Sequence, residues 1–283
     1  MTEHVFAAID DSCFAQSVSE YGAWASLALG APLTLLNVID NHATPPGEQD
    51  LSGNLSLGSQ EQLMETLSRF DEQRARENRR QSKALMERAV AHVDAAGGRA
   101  QTRTLNGTFV ETLLELENET RLLIVGRHGA HHESSTALGE HVETLVRRLK
   151  RPVLIVPETF APPRRVMVAF DGSQTARRGV EMLAGSPLFH GAEYRVVSVG
   201  HDTAERRHDL DWALSTLRAG GHSAEGALIE GEVDRVLSDE IASRGVDLLA
   251  MGAYGHSRLR QLLMGSTTTK MLRGARVPVL VLR

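Results

Sequence analysis

The sequence predicts an α/β protein made of two consecutive halves, each a five-stranded parallel sheet with helices on both faces. Three observations predict it. Short apolar runs alternate with segments of helical spacing along the chain, the pattern of β-α-β units, which are parallel and right-handed by default. The first apolar run of each half ends in turn chemistry, Asp10-Asp11-Ser12 and Asp171-Gly172-Ser173. Landmarks also recur at constant spacing. Asp10 and Asp171 lie 161 residues apart, as do Val38 and Val199; Gly126/Gly252, Gly139/Gly265 and Pro152/Pro278 all lie 126 apart. The two spacings differ by 35 residues, which must enter the first half after Val38 and before its third strand. An internal duplication with one lengthened crossover, at about residues 40–98, accounts for all five pairs. The halves are then residues 1–157 and 165–283, joined by a segment, 157–164, that holds three prolines.

Each element has a local reason. Residues 5–9 are a short apolar run, residues 14–29 carry small and apolar side chains at helical spacing, and Gly30-Ala31-Pro32 stops that helix before a second strand at 33–39. Residues 42–59, rich in Gly, Pro and polar side chains, precede a long helical stretch at about 60–95. Leu63, Leu67 and Phe70, then Leu85, Ala89, Val90 and Val93, form its apolar stripe, while residues 72–80 are almost all charged and read as a solvated face or an exposed extension. A strand at 100–105, a helix at 108–116, a strand at 122–125, a helix to about 150 and a strand at 153–156 finish the first half. In the second half the strands fall at 166–170, 195–199, 224–229, 247–251 and 279–282.

Composition bounds the function. A chain of 283 residues, 41% hydrophobic and 24% charged, suits two domains of ordinary size. Its net charge of −5 gives no electrostatic reason to expect nucleic acid or an anionic membrane as partner. No apolar run approaches the roughly twenty residues of a membrane span, so a cytoplasmic protein is expected. The single cysteine, Cys13, excludes an intrachain disulfide and is expected as a small packed residue where the first helix begins.

Candidate chemistry sits after the fourth strand of each half. In the second, Met251 to Thr269 reads MGAYGHSRLRQLLMGSTTT: Gly252 and Gly255, nine residues, then Gly265 followed by Ser266. Glycines serve where backbone N–H groups approach an anion closely, and a hydroxyl at a helix N-terminus adds a donor beside the dipole. The loop therefore suits a phosphate, although Gly252 and Gly255 alone equally suit a tight strand-to-helix turn. No Gly-Lys-Ser/Thr follows, and the glycine spacing is not the dinucleotide fingerprint. Arg258 and Arg260 lie in the loop, as phosphate clamps or as solvated residues. In parallel sheets ligands bind beyond the carboxyl ends of the strands, where Asp171 also lies.

The run VAFDGS after one strand, DLLAMGAYGHSRLRQLLMGS around the glycine loop and the closing PVLVL resemble the universal stress protein family in its tandem form, over the whole chain except the insertion. The resemblance implies Rossmann-like domains of strand order 3-2-1-4-5, paired through their fifth strands as a pseudo-dimer, with adenine-nucleotide binding where the motif is complete. It implies that Gly252, Gly255, Gly265 and Ser266 cradle phosphates with Thr267 beside them, that Asp171 faces the nucleoside, and that Val199 and Met251 line the adenine pocket. The cofactor is then ATP or ADP, with or without Mg2+. A stress-response regulator, a nucleotide-independent interaction protein and a slow ATPase stay open as functions; no arginine finger, P-loop lysine or diagnostic pair of carboxylates marks a dedicated enzyme. Whether whole chains also form homodimers is open.

The two motifs are unequal. Asp10, Val38, Gly126, Gly129 and Gly139 repeat the landmarks in the first half, but Glu140 stands where the second half has Ser266, and Asp11 where it has Gly172. Carboxylates beside phosphates repel them, so the first site is expected weak or empty unless Mg2+ bridges. Residues 40–59 leave the sheet at the rim of that site, as a lid or as a passive loop. His128, His131, His132 and His141, with Glu133 and Glu140, match no standard zinc spacing, and no metal is expected.

Overall fold

The computed structural model describes residues 3–39, 57–129, 139–252 and 266–283, with side chains left aside at 57–68, 70, 71, 140 and 266–268. Strand β1 (His4–Ala8), helix α1 (Ala15–Leu29) and strand β2 (Leu33–Ile39) form the first unit, and β2 pairs parallel to β1. Helix α1 ends where Gly30 takes a left-handed φ of 58°, a conformation that costs a residue with Cβ more than it costs glycine. Helix α2 (Leu57–Ala95), strand β3 (Ala100–Asn106), helix α3 (Phe109–Glu115), strand β4 (Thr120–Gly126), helix α4 (Glu140–Arg148) and strand β5 (Val153–Val156) complete the first half. The second half repeats the order as β6 (Arg165–Ala169), α5 (Gln174–Gly185), β7 (Glu193–Val199), α6 (Ala204–Ala219), β8 (Ser223–Ile229), α7 (Val233–Arg244), β9 (Leu248–Gly252), α8 (Ser266–Gly274) and β10 (Val279–Leu282).

The strands do not make two sheets. They form one of ten strands in the order β3-β2-β1-β4-β5-β10-β9-β6-β7-β8, in which the pairing of β5 with β10 is antiparallel and the rest are parallel. The two five-stranded sheets expected are thus continuous as one, joined through the fifth strands as the family resemblance implies, and the physical reason is plain. Val153–Val156 and Val279–Leu282 are buried along their whole lengths, and an apolar edge with unpaired N–H and C=O groups is stable only when another strand covers it. Leu280 faces Leu154, and Val279 and Val281 face Ile155 and Val153.

Side-chain alternation sorts the core onto the two faces of the sheet. Val5 and Ala7 of β1 join one cluster and Phe6 and Ala8 the other. The first contains residues of α1, α2, α5 and α6, the second residues of α3, α4, α7 and α8, so each cluster runs across both halves. Further contacts close the seam. Tyr21 donates to the Ala161 carbonyl at 3.2 Å and packs edge-on against Phe160, Trp24 lies 5.8 Å from Phe189, and Arg273 pairs with Glu143 at 3.5 Å. Arg127 and Arg283 each reach over it to a backbone carbonyl, of Ala275 and Val146. Burial of Arg127 lowers its pKa from the ordinary guanidinium value.

Among the described side chains of helix α2, those that enter the core lie toward its C-terminal end. Leu85, Met86, Ala89 and Val93 enter the core, and the buried Ser82 hydroxyl donates to Asn37 Oδ1 at 2.7 Å while Asn37 Nδ2 donates to the Ile9 carbonyl at 2.8 Å. Charged residues 72–80 lie exposed or half-exposed, as their composition predicts, so about 37 Å of helix precedes Ser82. The proposed lid segment falls almost wholly outside the described residues. Cys13 is exposed, contrary to the expectation of a packed thiol, because Phe14 takes the inward position at the start of α1.

Candidate functional site

The parallel order places β1 beside β4 and β6 beside β9, so in each half the first-strand aspartate and the fourth-strand glycine leave neighbouring strands at the same sheet edge. Asp10 meets Gly129, where a Cβ would sit 3.1 Å from its Oδ2. In the second half Asp171 and Gly252 follow the ends of β6 and β9; Gly255 and Gly265 lie outside the described residues, and Ser266 opens helix α8 with Thr267 next to it. Met251 is buried and Val199 half-buried at their strand ends.

The two crevices differ in their floors. An added Cβ at Gly126 would stand 2.7 Å from Phe14 Cβ, whereas one at Gly252 would stand 3.5 Å from Thr175 Cγ2, in ordinary contact. Phe14 and Thr175 are counterparts by the 161-residue spacing. Above Phe14 lies the buried His128, edge-on at 4.8 Å, and above His128 lies Gly139, whose N–H donates to the Arg127 carbonyl at 3.1 Å. Among the described residues, Phe14 and His128 therefore pack between Gly126 and Gly139. Gly126 is there for the close approach of α1, whatever else its loop does. Replacing Gly126 by Ala should cost about 1–3 kcal/mol through overpacking, while Gly252→Ala should stay within about 0.5 kcal/mol; urea midpoints of the two variants check this.

The carboxylates differ too. Asp10 Oδ1 accepts from the Ser12 N–H at 3.2 Å and from its hydroxyl, and the exposed Asp171 accepts from the Ser173 N–H at 3.0 Å. Asp11, expected to add repulsion, is paired with Arg88 of α2 at 2.9 Å, so the lengthened crossover offsets the charge at that rim. Val38 lies half-buried at the end of β2, and Glu140 opens α4 as Ser266 opens α8.

Around the second crevice stand residues that the sequence analysis missed. Gly172 has a φ of 75°, and a Cβ there would overlap the Asp209 carboxylate. Arg177 Nε donates to the Gly172 carbonyl at 3.2 Å, its guanidinium also pairs with Asp209, and it lies 4.6 Å over the Trp212 ring, which stacks on Phe170. Arg206, in the first turn of α6, donates from Nη1 to the Val199 carbonyl at 2.7 Å. The lone signal for these is Gly200 at a strand end, where periodicity leaves no mark.

Among the described residues no group of three or more His, Cys, Asp or Glu could hold a metal ion; His131, His132 and Glu133 lie outside them. No helix there is long and apolar enough to cross a membrane. The family model described as the universal stress protein family matches residues 1–157 and 200–283. The chain belongs to the universal stress protein family. Universal stress protein Slr1230 of Synechocystis is 30% identical over 99% of this chain and all of its own length. Universal stress protein Rv2005c of Mycobacterium tuberculosis is 28% identical over 62% of this chain and 66% of its own. A universal stress protein structure from Archaeoglobus fulgidus superposes with a TM-score of 0.75 at 20% identity, covering 98% of this chain and 97% of that one, a likeness of fold.

Proposed function

We propose that this universal stress protein is a stress-response regulator that binds an adenine nucleotide, ATP or ADP with or without Mg2+, in its second half. Residues 1–157 and 165–283 act as two domains, a pseudo-dimer joined by β5 and β10, and only the second holds the ligand. Gly252, Gly255, Gly265, Ser266 and Thr267 take the phosphates, Asp171 the ribose, and Val199 and Met251 the base. One observation carries the reading: a Cβ at Gly252, near Asp171, would meet Thr175 Cγ2 at 3.5 Å, in ordinary contact, whereas one at Gly126, near Asp10, would stand 2.7 Å from Phe14, on which His128 packs edge-on. A carboxylate suits ribose hydroxyls and backbone N–H groups suit phosphates. No catalysis is assigned to the site.

Calorimetry with ATP and Mg2+ should give one site per chain. Asp171→Ala should weaken it by about tenfold or more, the value of a hydrogen bond to a charged group, and Asp10→Ala should leave it unchanged. Two equal sites, or equal losses from the two aspartates, would refute the reading. A nucleotide-independent role in protein contacts is the second reading, favoured by the exposed charged stretch of α2. Mass spectrometry of small molecules released from fresh protein separates them, since only the first predicts a co-purifying adenine nucleotide.

A further inference from the structure

The antiparallel joint between β5 and β10 sets the two crevices at opposite ends of the sheet, because each lies beyond the carboxyl ends of its own strands and the strands of the two halves point opposite ways. The crossover helices α4 and α8 therefore also run in opposite directions. They share one face, where Val142, Leu145 and Val146 of α4 and Met271 and Leu272 of α8 belong to a single cluster. Helix α8 begins with Ser266 at the second crevice, and its far end reaches the glycine loop of the first half, where Arg127 meets it.

The last carbonyls of a helix find no partner within it, and a cation beside them also complements the dipole. Ala275, whose N–H closes the final turn on the Met271 carbonyl at 2.8 Å, presents one of these carbonyls, and Arg127 Nη2 donates to it. Among the described residues that carbonyl is the one acceptor the guanidinium meets, and its Nε is buried without one. Two other ties on α8, Arg273 to Glu143 at 3.5 Å and Lys270 to Asp234 at 3.1 Å, involve solvent-exposed cations, and such pairs hold little. By the 126-residue spacing the counterpart of Arg127 is Ala253, so the complete motif lacks the arginine and the altered one carries it.

We infer that Arg127 of the first half is a positioning residue of the second site, an inference that rests on the proposed placement of the phosphates at the N-terminus of α8. A helix of nine residues is not stable alone and takes its place from what holds it. Fixed at its C-terminal end, it aims its first N–H groups from about 13 Å away, so that the ligand has less ordering left to impose. The glycine loop of the first half, packed around Phe14 and His128, thus serves the crevice of the second.

The test uses the full chain, native and as Arg127→Met, Arg127→Lys and Tyr21→Phe. Methionine keeps an unbranched stem and removes every donor, whereas lysine keeps a charged one. Tyr21→Phe removes the hydrogen bond to Ala161 on the opposite face of the sheet, a loss at the same seam that does not touch α8. In calorimetry with ATP and Mg2+, Arg127→Met should weaken binding by at least about fivefold, the lower end of ordinary coupling between sites, with Arg127→Lys closer to native and Tyr21→Phe within about twofold of it. Without nucleotide, hydrogen exchange at the amides of residues 270–275 should speed up by at least about fivefold in Arg127→Met and stay native in Tyr21→Phe. Affinity within about twofold of native in Arg127→Met, or equal losses in Arg127→Met and Tyr21→Phe, overturns the inference and leaves the nucleotide reading standing. If the native chain binds no ATP, the nucleotide reading falls and the inference with it, and exchange in Arg127→Met still decides whether Arg127 holds α8.

Discussion

Leu280→Asp is expected to destabilise the whole chain by more than about 4 kcal/mol and to remove both halves in one transition. Leu280 is buried opposite Leu154 at the middle of the antiparallel β5–β10 pair. The substitution gives up about 1.5–3 kcal/mol of apolar burial and places a carboxylate inside an apolar cluster, which adds several kcal/mol more. Since a domain is stable by roughly 5–15 kcal/mol, the loss is decisive. Leu27→Asp, on an exposed position of α1, is the control and should cost about 0.5 kcal/mol or less. Denaturant curves read by far-ultraviolet circular dichroism and by Trp24 and Trp212 fluorescence, one tryptophan in each half, check it. If the halves were beads on a linker, the Trp24 signal would stay native while the Trp212 signal melted. Separately expressed halves should also associate, because each alone exposes a strand that is apolar along its length.

The second large effect concerns the phosphate end of the proposed site. Ser266→Glu should weaken ATP binding about a hundredfold in calorimetry, because it replaces a donor by a carboxylate at the N-terminus of α8, beside the phosphates. The reverse exchange should not create a site. Glu140→Ser removes the repulsion in the first half but leaves Phe14 and His128 in the crevice, so binding there should stay undetected. Adding Phe14→Thr, which copies Thr175, is the change expected to open the first crevice. ATP binding by Glu140→Ser alone, or Ser266→Glu with native affinity, would show that charge and crevice filling have been assigned to the wrong residues.

Much of this was legible in the residues. Strand and helix positions follow from apolar periodicity and from breakers such as Gly30 and Pro32, which act within a few residues of themselves. The duplication followed from spacing alone, and it located the lengthened crossover. The two spacings, 161 and 126 residues, pair Phe14 with Thr175 and Glu140 with Ser266, so even the inequality of the halves was partly written in the chain. The charged residues 72–80 read as exposed, and they are.

What the sequence determined by itself was therefore local or periodic: the positions of strands and of the first half's helices, two matching sets of landmarks and the family they point to. Tertiary structure decided four things. It turned the expected fifth-strand pairing of β5 with β10 into one continuous sheet, paired Asp11 with Arg88, put Phe14 under Gly126, and laid Arg206 on the Val199 carbonyl. Each brings together groups on different elements, and periodicity says which way a side chain faces but not what it meets. Edge burial decides the first, since two apolar edges gain more from each other than from water. In the others, reach and volume decide which side chain fills a space that neither segment defines alone.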